Sequence, residues 1–472
     1  MAGERELIPD GEREVVLERV CAIDVAKASG KVCVRVPHPD RPGSRISQVW
    51  QVEATTNAVV ELGDQLACQG VEVVTVESTS DYWRIFFYLL EARGLRVQLV
   101  NARDVKNVPG RPKTDRLDAI WLAKLTEKGL LRPSFVPPEP IRVLRDLTRM
   151  RVDLTAERTR HYARLEKLLE DALIKVTSVA SRIDTVSVRE MVEALIGGER
   201  DARRLAGLAR GRMREKNAAL VEALTGRFDE HHARLARLLL AQIDALTAQI
   251  AELTGWIEEH LRGLAEGADP AGPGGTAGPG AGQREEPLEE REERLEERRE
   301  ECAHHRGCGC PLPPVARLDE IPGISPHAAQ MVIAEIGLDM TRFPTAGHLV
   351  SWARLCPRTI QSGPKSRAGR TGKGNRYLKG VLSEVATAAA KTDTFLGERY
   401  RRIVKRRGKL RAMVAVARSI LVMIWHLLSD PAARYRDLGS DYYVSTIDRD
   451  RKARSHIRQL QALGFTVTLA TA

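Results

Sequence analysis

The sequence predicts an N-terminal α/β domain, a long helical middle and a second, mainly α-helical folded unit. Three observations carry this. From about residue 19 to 101, short β-branched runs alternate with amphipathic helical stretches. From about 141 to 262 the periodicity is helical throughout. From about 264 to 314 the composition shifts to Gly, Pro and dense charge, which separates the last unit from the rest.

Taken in order, "RVCAIDVAK" and "KVCVRV" read as two strands joined by a short Ser29-Gly30 turn. "ATTNAVVELGDQLACQG" reads as a helix, "VEVVTVE" as the next strand, "SDYWRIFFYLLEARG" as a helix and "LRVQLVN" as a strand. A further helix is expected within "GRPKTDRLDAIWLAKL", with Leu117, Ile120, Trp121, Leu122 and Leu125 as its apolar face. The Pro-rich break from Pro133 to Pro140 ends this unit.

From Ile141 to about Lys175 the chain reads as one Arg-rich helix, and a second helical stretch runs from about Glu215 to Leu261. Within the latter, Leu239, Ile243, Leu246, Ile250, Leu253 and Ile257 alternate four- and three-residue steps. Such a seam suits either a helix pair inside one chain or self-association. "GADPAGPGGTAGPGAGQ" is a Gly/Pro linker and "REEPLEEREERLEERREE" a solvated charge run. "CAHHRGCGC" then offers Cys302, His304, His305, Cys308 and Cys310. These are zinc-ligand types, but their spacing fits no common zinc pattern, so zinc and plain linker both stand as readings. Removing Gly267 to Cys308 and bridging the ends with a short flexible linker is expected to leave activity intact. Loss of activity, with stoichiometric zinc in the intact protein, would contradict that. "LDEIPGISPHAAQMVIAEIG" opens the last unit as helix, Gly-containing turn, helix. It suits either a plain hairpin or a helix-hairpin-helix whose loop amides contact phosphate.

A net charge of +11 and a pI near 9.4 favour a polyanionic partner, nucleic acid before an acidic membrane surface. The most apolar late stretch, Ala412 to Leu428, contains Arg418 and His426 and is short for a span, which predicts a core helix. "MAGERELIPDGEREVV" carries no basic-then-apolar leader, so a reducing cytoplasm is the expectation.

Four carboxylates attract notice. Asp24 and Glu77 each close a β-branched apolar run, and Asp115 and Asp118 lie three apart on one helix. Strand ends of an α/β sheet line its functional crevice, and residues i and i+3 share a helix face. The plainer reading of the aspartate pair is a solvated helix start favoured by the dipole. Four converging carboxylates cannot all stay ionised without cations. Two Mg²⁺ ions roughly 4 Å apart would neutralise them and clamp a phosphodiester. Arg111, Lys113 and Arg116 beside them suit phosphate contacts.

A second motif, "CPRTIQSGPKSRAGRTGKGNRYLKG", has Arg358, Lys365, Arg367, Arg370, Lys373, Arg376 and Lys379 and no acid. Its glycines mark loops, and its charge marks a phosphate-binding surface. Ser362 lies within it. As a residue type it is either a turn former or a nucleophile whose attack the basic neighbours assist.

The order of these elements resembles the ribonuclease H-like fold in its Holliday-junction-resolvase (RuvC-like) branch. "AIDVAK", "VTVEST", "KTDRLDAIWLAKL", "LTRMRVDLTAERTRHYARLEKLLED", "IPGIS", "LCPRTIQSGPKSRAGRTGKGNRYLKGVL" and "AMVAVARSILVMIW" occur in that order. Together they resemble the DEDD-type insertion-sequence transposases, serine recombinases guided by a bridge RNA, over about residues 18 to 430.

The resemblance implies a RuvC-like catalytic domain over 1–135 and an Arg-rich coiled-coil region over 141–262. It implies an inserted linker over 263–315, a transposase domain over 316–430 and a C-terminal tail over 431–472. It makes Asp24, Glu77, Asp115 and Asp118 the metal ligands, with two Mg²⁺ per site, and maps the nucleophilic serine onto Ser362, with Ser366 as the alternative. The implied partners are donor and target DNA, a guide RNA and further copies of the chain, from dimer to tetramer. No membrane is involved, and the setting is prokaryotic cytoplasm at the nucleoid. Two other readings stand beside it: a junction-resolving nuclease acting by water attack, and a nucleic-acid scaffold without catalysis.

Overall fold

The computed structural model describes residues 17–41, 43–101, 115–266, 312–363, 365–445 and 449–468. These fall into two compact units that divide between Val136 and Pro137. Arg111, Lys113 and the Cys302–Cys310 cluster lie outside the described residues.

The first unit is built on a six-stranded mixed sheet. Its strands are β1 (Val20–Val25), β2 (Ser29–Pro37), β3 (Arg45–Glu53), β4 (Val73–Ser78), β5 (Val97–Asn101) and β6 (Pro133–Ser134), in the order β3-β2-β1-β4-β5-β6. β1 is antiparallel to β2 and parallel to β4, and β4 is parallel to β5. This is the RuvC-like, ribonuclease H-like arrangement that the sequence predicts. One face carries α1 (Thr56–Cys68) and α2 (Trp83–Ala92). They bury Val59, Leu62, Leu66, Phe86 and Leu90 on Cys21, Ile23, Val32 and Val74. The other face carries α3 (Asp115–Glu127), whose Ala119, Leu122, Ala123 and Leu125 cover Ala22, Cys33 and Val100. Leu117, expected on the apolar face, is instead well exposed.

Two local expectations need correction. The β1–β2 turn sits at Ala26–Ala28, closed by the Ala26 N–H on the Ser29 carbonyl at 2.9 Å. Ser29 and Gly30 already belong to β2. A Cβ on Gly30 would lie 2.8 Å from both Ile23 Cγ2 and Phe86 Cζ, so the glycine is there for the close packing of Phe86. The strand β3 was not anticipated.

Burial also sets thiol chemistry. Cys21 and Cys33 lie on opposite faces of the sheet, each fully buried. Desolvation pushes the Cys33 thiol up to about 11, against the lowering pull of Arg35 and Lys124, and it also raises Cys21 well above the ordinary thiol value, with Cys33 adding to the rise. Thiolate is the reactive form. A maleimide at pH 7.5 is therefore expected to label exposed Cys68 and to leave Cys21 and Cys33 unmodified until unfolding, as read by peptide mapping.

The second unit begins with α4 (Glu139–Asp171) and returns along it with α8 (Glu230–Glu266). The pair is antiparallel: His260 Nε2 donates to the Pro140 carbonyl at 2.7 Å, and His232 Nε2 lies 3.2 Å from Asp171 at the opposite end. Between them come α5 (Val186–Ile196), α6 (Ala202–Gly207) and α7 (Asn217–Leu224). The helical stretch expected from Glu215 to Leu261 is thus two helices, broken over 225–229. Ile243, Leu246, Leu253 and Ile257 of the seam are buried within the chain, so the seam serves this internal pair.

The rest of the unit holds α9 (Pro314–Asp319), α10 (Pro326–Ile336) and α11 (Ala346–Trp352). The hairpin β7 (Pro357–Ser362) and β8 (Lys365–Thr371) follows, then α12 (Arg376–Ala389), α13 (Phe395–Arg407) and α14 (Lys409–Ser429). The stretch read as a C-terminal tail carries α15 (Tyr442–Ser445) and α16 (Arg449–Ala462). Gly323, in the turn between α9 and α10, has φ +92°, and a Cβ there would meet the Val385 carbonyl at 2.6 Å. The turn is therefore pressed against α12, which accounts for its glycine without a ligand. By length and composition α14 could cross a membrane. It packs as a core helix, burying Val416, Ile420 and Ile424, and Trp425 Nε1 donates to the Phe343 carbonyl at 2.8 Å.

Candidate active site

The parallel register of β1 and β4 pairs Ile23 with Val76. Asp24 and Glu77 stand one rung further, at the C-terminal ends of adjacent strands. Ile23 and Val76 point into the α1–α2 core, so alternation turns Asp24 and Glu77 to the α3 face. Glu77 is 5% exposed and Asp24 half-buried. Lys31 is the cross-strand partner of Asp24 and donates to Gln51 at 3.3 Å.

α3 runs against β1. The Glu127 carbonyl at its end accepts from the Leu17 N–H just before β1, and Thr126 Oγ1 lies 2.7 Å from Thr75 Oγ1. That direction brings its first turn towards the end of the sheet where β1 and β4 finish. Asp118, half-buried, lies one turn before buried Leu122. Asp115 opens the helix, and Arg116 is exposed beside it. The sheet and α3 thus bring Asp24, Glu77 and Asp118 to one end of one layer. A buried carboxylate beside a second one, with oxygen donors throughout, fits a hard divalent cation.

The basic motif is not a loop but a two-stranded hairpin. Ser362 ends β7 opposite Lys365, and Ser366 pairs with Gln361. Gly363 takes the turn with φ +57°. Lys365 and Lys373 are exposed. Arg376 is exposed too, with its guanidinium 4.6 Å from the centre of the Tyr377 ring. Arg358 lies in β7, and Arg367 and Arg370 lie in β8. Lys379 is not free for phosphate: its Nζ donates to the Gly372 carbonyl at 2.6 Å.

The Arg-rich helix α4 divides in the same way. Arg149 Nε and Nη2 donate to the two carboxylate oxygens of Glu335 at 2.8 and 2.9 Å. Arg145 donates to the Ala334 and Glu335 carbonyls at 3.0 and 2.8 Å, and Arg151 to Gln330 at 2.8 Å. Arg160 and Arg164 face solvent. Asn375 and Glu335 escaped sequence reasoning altogether, because nothing local marks either one.

Asp171, His231 and His232 bring their ligand atoms within 4.8 Å of one another. His232 Nδ1 accepts the Asp229 N–H at 3.1 Å, so Nε2 carries the proton and donates to Asp171. Both nitrogens are engaged, Nδ1 at the start of α8 and Nε2 on the last residue of α4, which leaves His232 no lone pair for a metal.

Residues 21–174 match the family model for the IS110 DEDD transposases, described as "Transposase", and residues 315–401 match "Transposase IS116/IS110/IS902 family". The chain belongs to the IS110 family of DEDD transposases. The "Insertion element IS110 uncharacterized 43.6 kDa protein" of Streptomyces coelicolor is 34% identical over 123 residues, 25% of this chain. The matched stretch spans only 29% of that relative. A "Thermus thermophilus RuvC structure" aligns at 13% identity with a TM-score of 0.19, covering 25% of this chain and 99% of that one.

Proposed function

We propose that this IS110-family protein is a transposase that cuts and rejoins DNA, with Asp24, Glu77, Asp115 and Asp118 holding Mg²⁺ and Ser362 as nucleophile. The observation that carries the reading is the placement of Asp24 and Glu77 on one rung of adjacent strands at one end of the sheet, facing the helix α3 whose first turn contains Asp115 and Asp118. Bound there, two Mg²⁺ would supply Lewis-acid charge to a phosphodiester. The chain's own residues do the rest. The carboxylates hold the cations, Glu77 from a buried position with little freedom to move. Arg111, Lys113 and Arg116 contact the backbone phosphates near them. Arg358, Lys365, Arg367, Arg370, Lys373 and Arg376 hold the strand at the hairpin.

Ser362 then forms an ester to phosphorus as the bond to the leaving deoxyribose oxygen breaks, and that oxygen takes up a proton. The ester conserves the bond energy for rejoining. That matters because the sequence has no phosphate-binding Gly-rich loop ending in Lys-Ser or Lys-Thr. Arg160 and Arg164, exposed on α4, suit a guide RNA, and base pairing would then supply sequence choice while the protein reads backbone and helix shape. The protein works as a homo-oligomer in the cytoplasm at the nucleoid. Sequencing RNA that co-purifies with the chain tests the guide. A discrete, structured RNA encoded beside the gene is expected, whereas a random sample of cellular RNA would contradict it.

A further inference from the structure

Glu335, near the end of α10, is 1% exposed, and its carboxylate is held among donors from two distant segments. From α4, Arg149 binds it through both guanidinium arms and Arg145 pairs with it at 3.4 Å. From the segment just after β8, Asn375 Nδ2 donates to Glu335 Oε2. The same Asn375 turns its Oδ1 to the N–H groups of Tyr377 and Leu378, at 3.0 and 3.2 Å, and so caps α12. Arg149 also lies 4.6 Å from the centre of the Tyr377 ring. One buried carboxylate therefore ties the long helix to the root of the serine hairpin.

A buried ion pair is a poor device for stability alone, since apolar packing of equal volume often holds elements together as well. What directional bonds to a charged group add is a fixed position. We propose that Glu335, acting through Asn375, is a positioning residue that sets where the hairpin carrying Ser362 stands against α4. The inference rests on reading Ser362 as the nucleophile. It adds that α4 and the hairpin move as one body because of this latch. Arg145 and Arg149 thereby belong to the latch and not to the nucleic-acid surface.

The test uses the full-length protein and three variants: Asn375→Asp, Glu335→Gln and the pair together. Asp remains a good helix cap, so Asn375→Asp keeps α12 while replacing the donor to Glu335 with a second carboxylate. In the double variant the amide introduced at position 335 can donate to the carboxylate introduced at position 375, which reverses and restores the bond. Two quantities are read. One is amide hydrogen exchange across 357–371, compared with α14. The other is the rate of protein–DNA adduct formation, compared with affinity, on a plasmid carrying the gene with its flanks. Each single variant is expected to speed hairpin exchange about tenfold or more with α14 unchanged. Adduct formation should slow about tenfold or more, with affinity within about twofold of wild type. The double variant should recover much of both, as coupled neighbours do. Wild-type exchange in the hairpin, loosening that spreads equally to α14, or a double variant no better than the singles would overturn the latch. If the exchange results hold and the wild type forms no adduct, the nucleophile reading falls and the latch stands.

Discussion

Asp24→Ala, Glu77→Ala, Asp115→Ala and Asp118→Ala proteins are each expected to fold and bind nucleic acid like the wild type while losing DNA cleavage. The loss should be at least about 10³-fold, because a misplaced cation forfeits several kcal/mol of charge stabilisation in the transition state. Folding should survive for the opposite reason. In the metal-free protein these carboxylates repel one another, and removing one relieves that repulsion. Glu77 makes the sharpest case. It is the most buried of the three whose side chains are described and the least free to move, so Glu77→Ala is expected to lose cleavage most completely while keeping a cooperative melt. Circular dichroism melts and Mg²⁺-dependent plasmid cleavage check both halves. Wild-type recombination by any one variant would remove that residue from the metal site.

Ser362→Ala is expected to abolish the covalent protein–DNA adduct and all rejoining, again by at least about 10³-fold, because the nucleophile itself is gone. Binding should change little, since the basic residues of the hairpin remain. The acidic edge belongs to the first compact unit and Ser362 to the second. Mixing Asp24→Ala protein with Ser362→Ala protein therefore asks whether one site draws on two copies. Recovery of strand exchange in the mixture, with neither variant active alone, is the expected result. An adduct that persists in Ser362→Ala would move the role to Ser366, its neighbour but one across the turn.

The sheet was legible wherever strands are buried on both faces. β1 and β4 read plainly because nearly every residue in them is apolar or β-branched. β3 escaped because it is an edge strand in which only Val52 is fully buried, so "RISQVWQVE" shows little contrast with a loop. Gly30 misled for a related reason. A Ser-Gly pair signals a turn locally, but the space that Phe86 needs against β2 is a tertiary fact. The positions of Asp24, Glu77 and Asp118 at or near element ends were legible, because ends are what pattern reading locates. The hairpin around Ser362 was read as loops because its glycines and charges hid the strand alternation, although its basic, acid-free character was plain. The latch was out of reach. Arg149 and Glu335 are 186 positions apart, and a buried Glu in "MVIAEIG" looks like any solvated helix residue until its partners are known.

Metal-bound carboxylates and a serine are together expected to cut DNA through a covalent intermediate. The most direct test is to trap the reaction on a plasmid carrying the gene with its flanks, digest the protein and map the DNA-linked peptide by mass spectrometry. The expected product is a phosphodiester on Ser362 that forms with Mg²⁺, is absent in chelator and is absent from Glu77→Ala protein. Cleaved DNA with no attached protein would show water attack and contradict the account, as would DNA joined to a residue outside the hairpin.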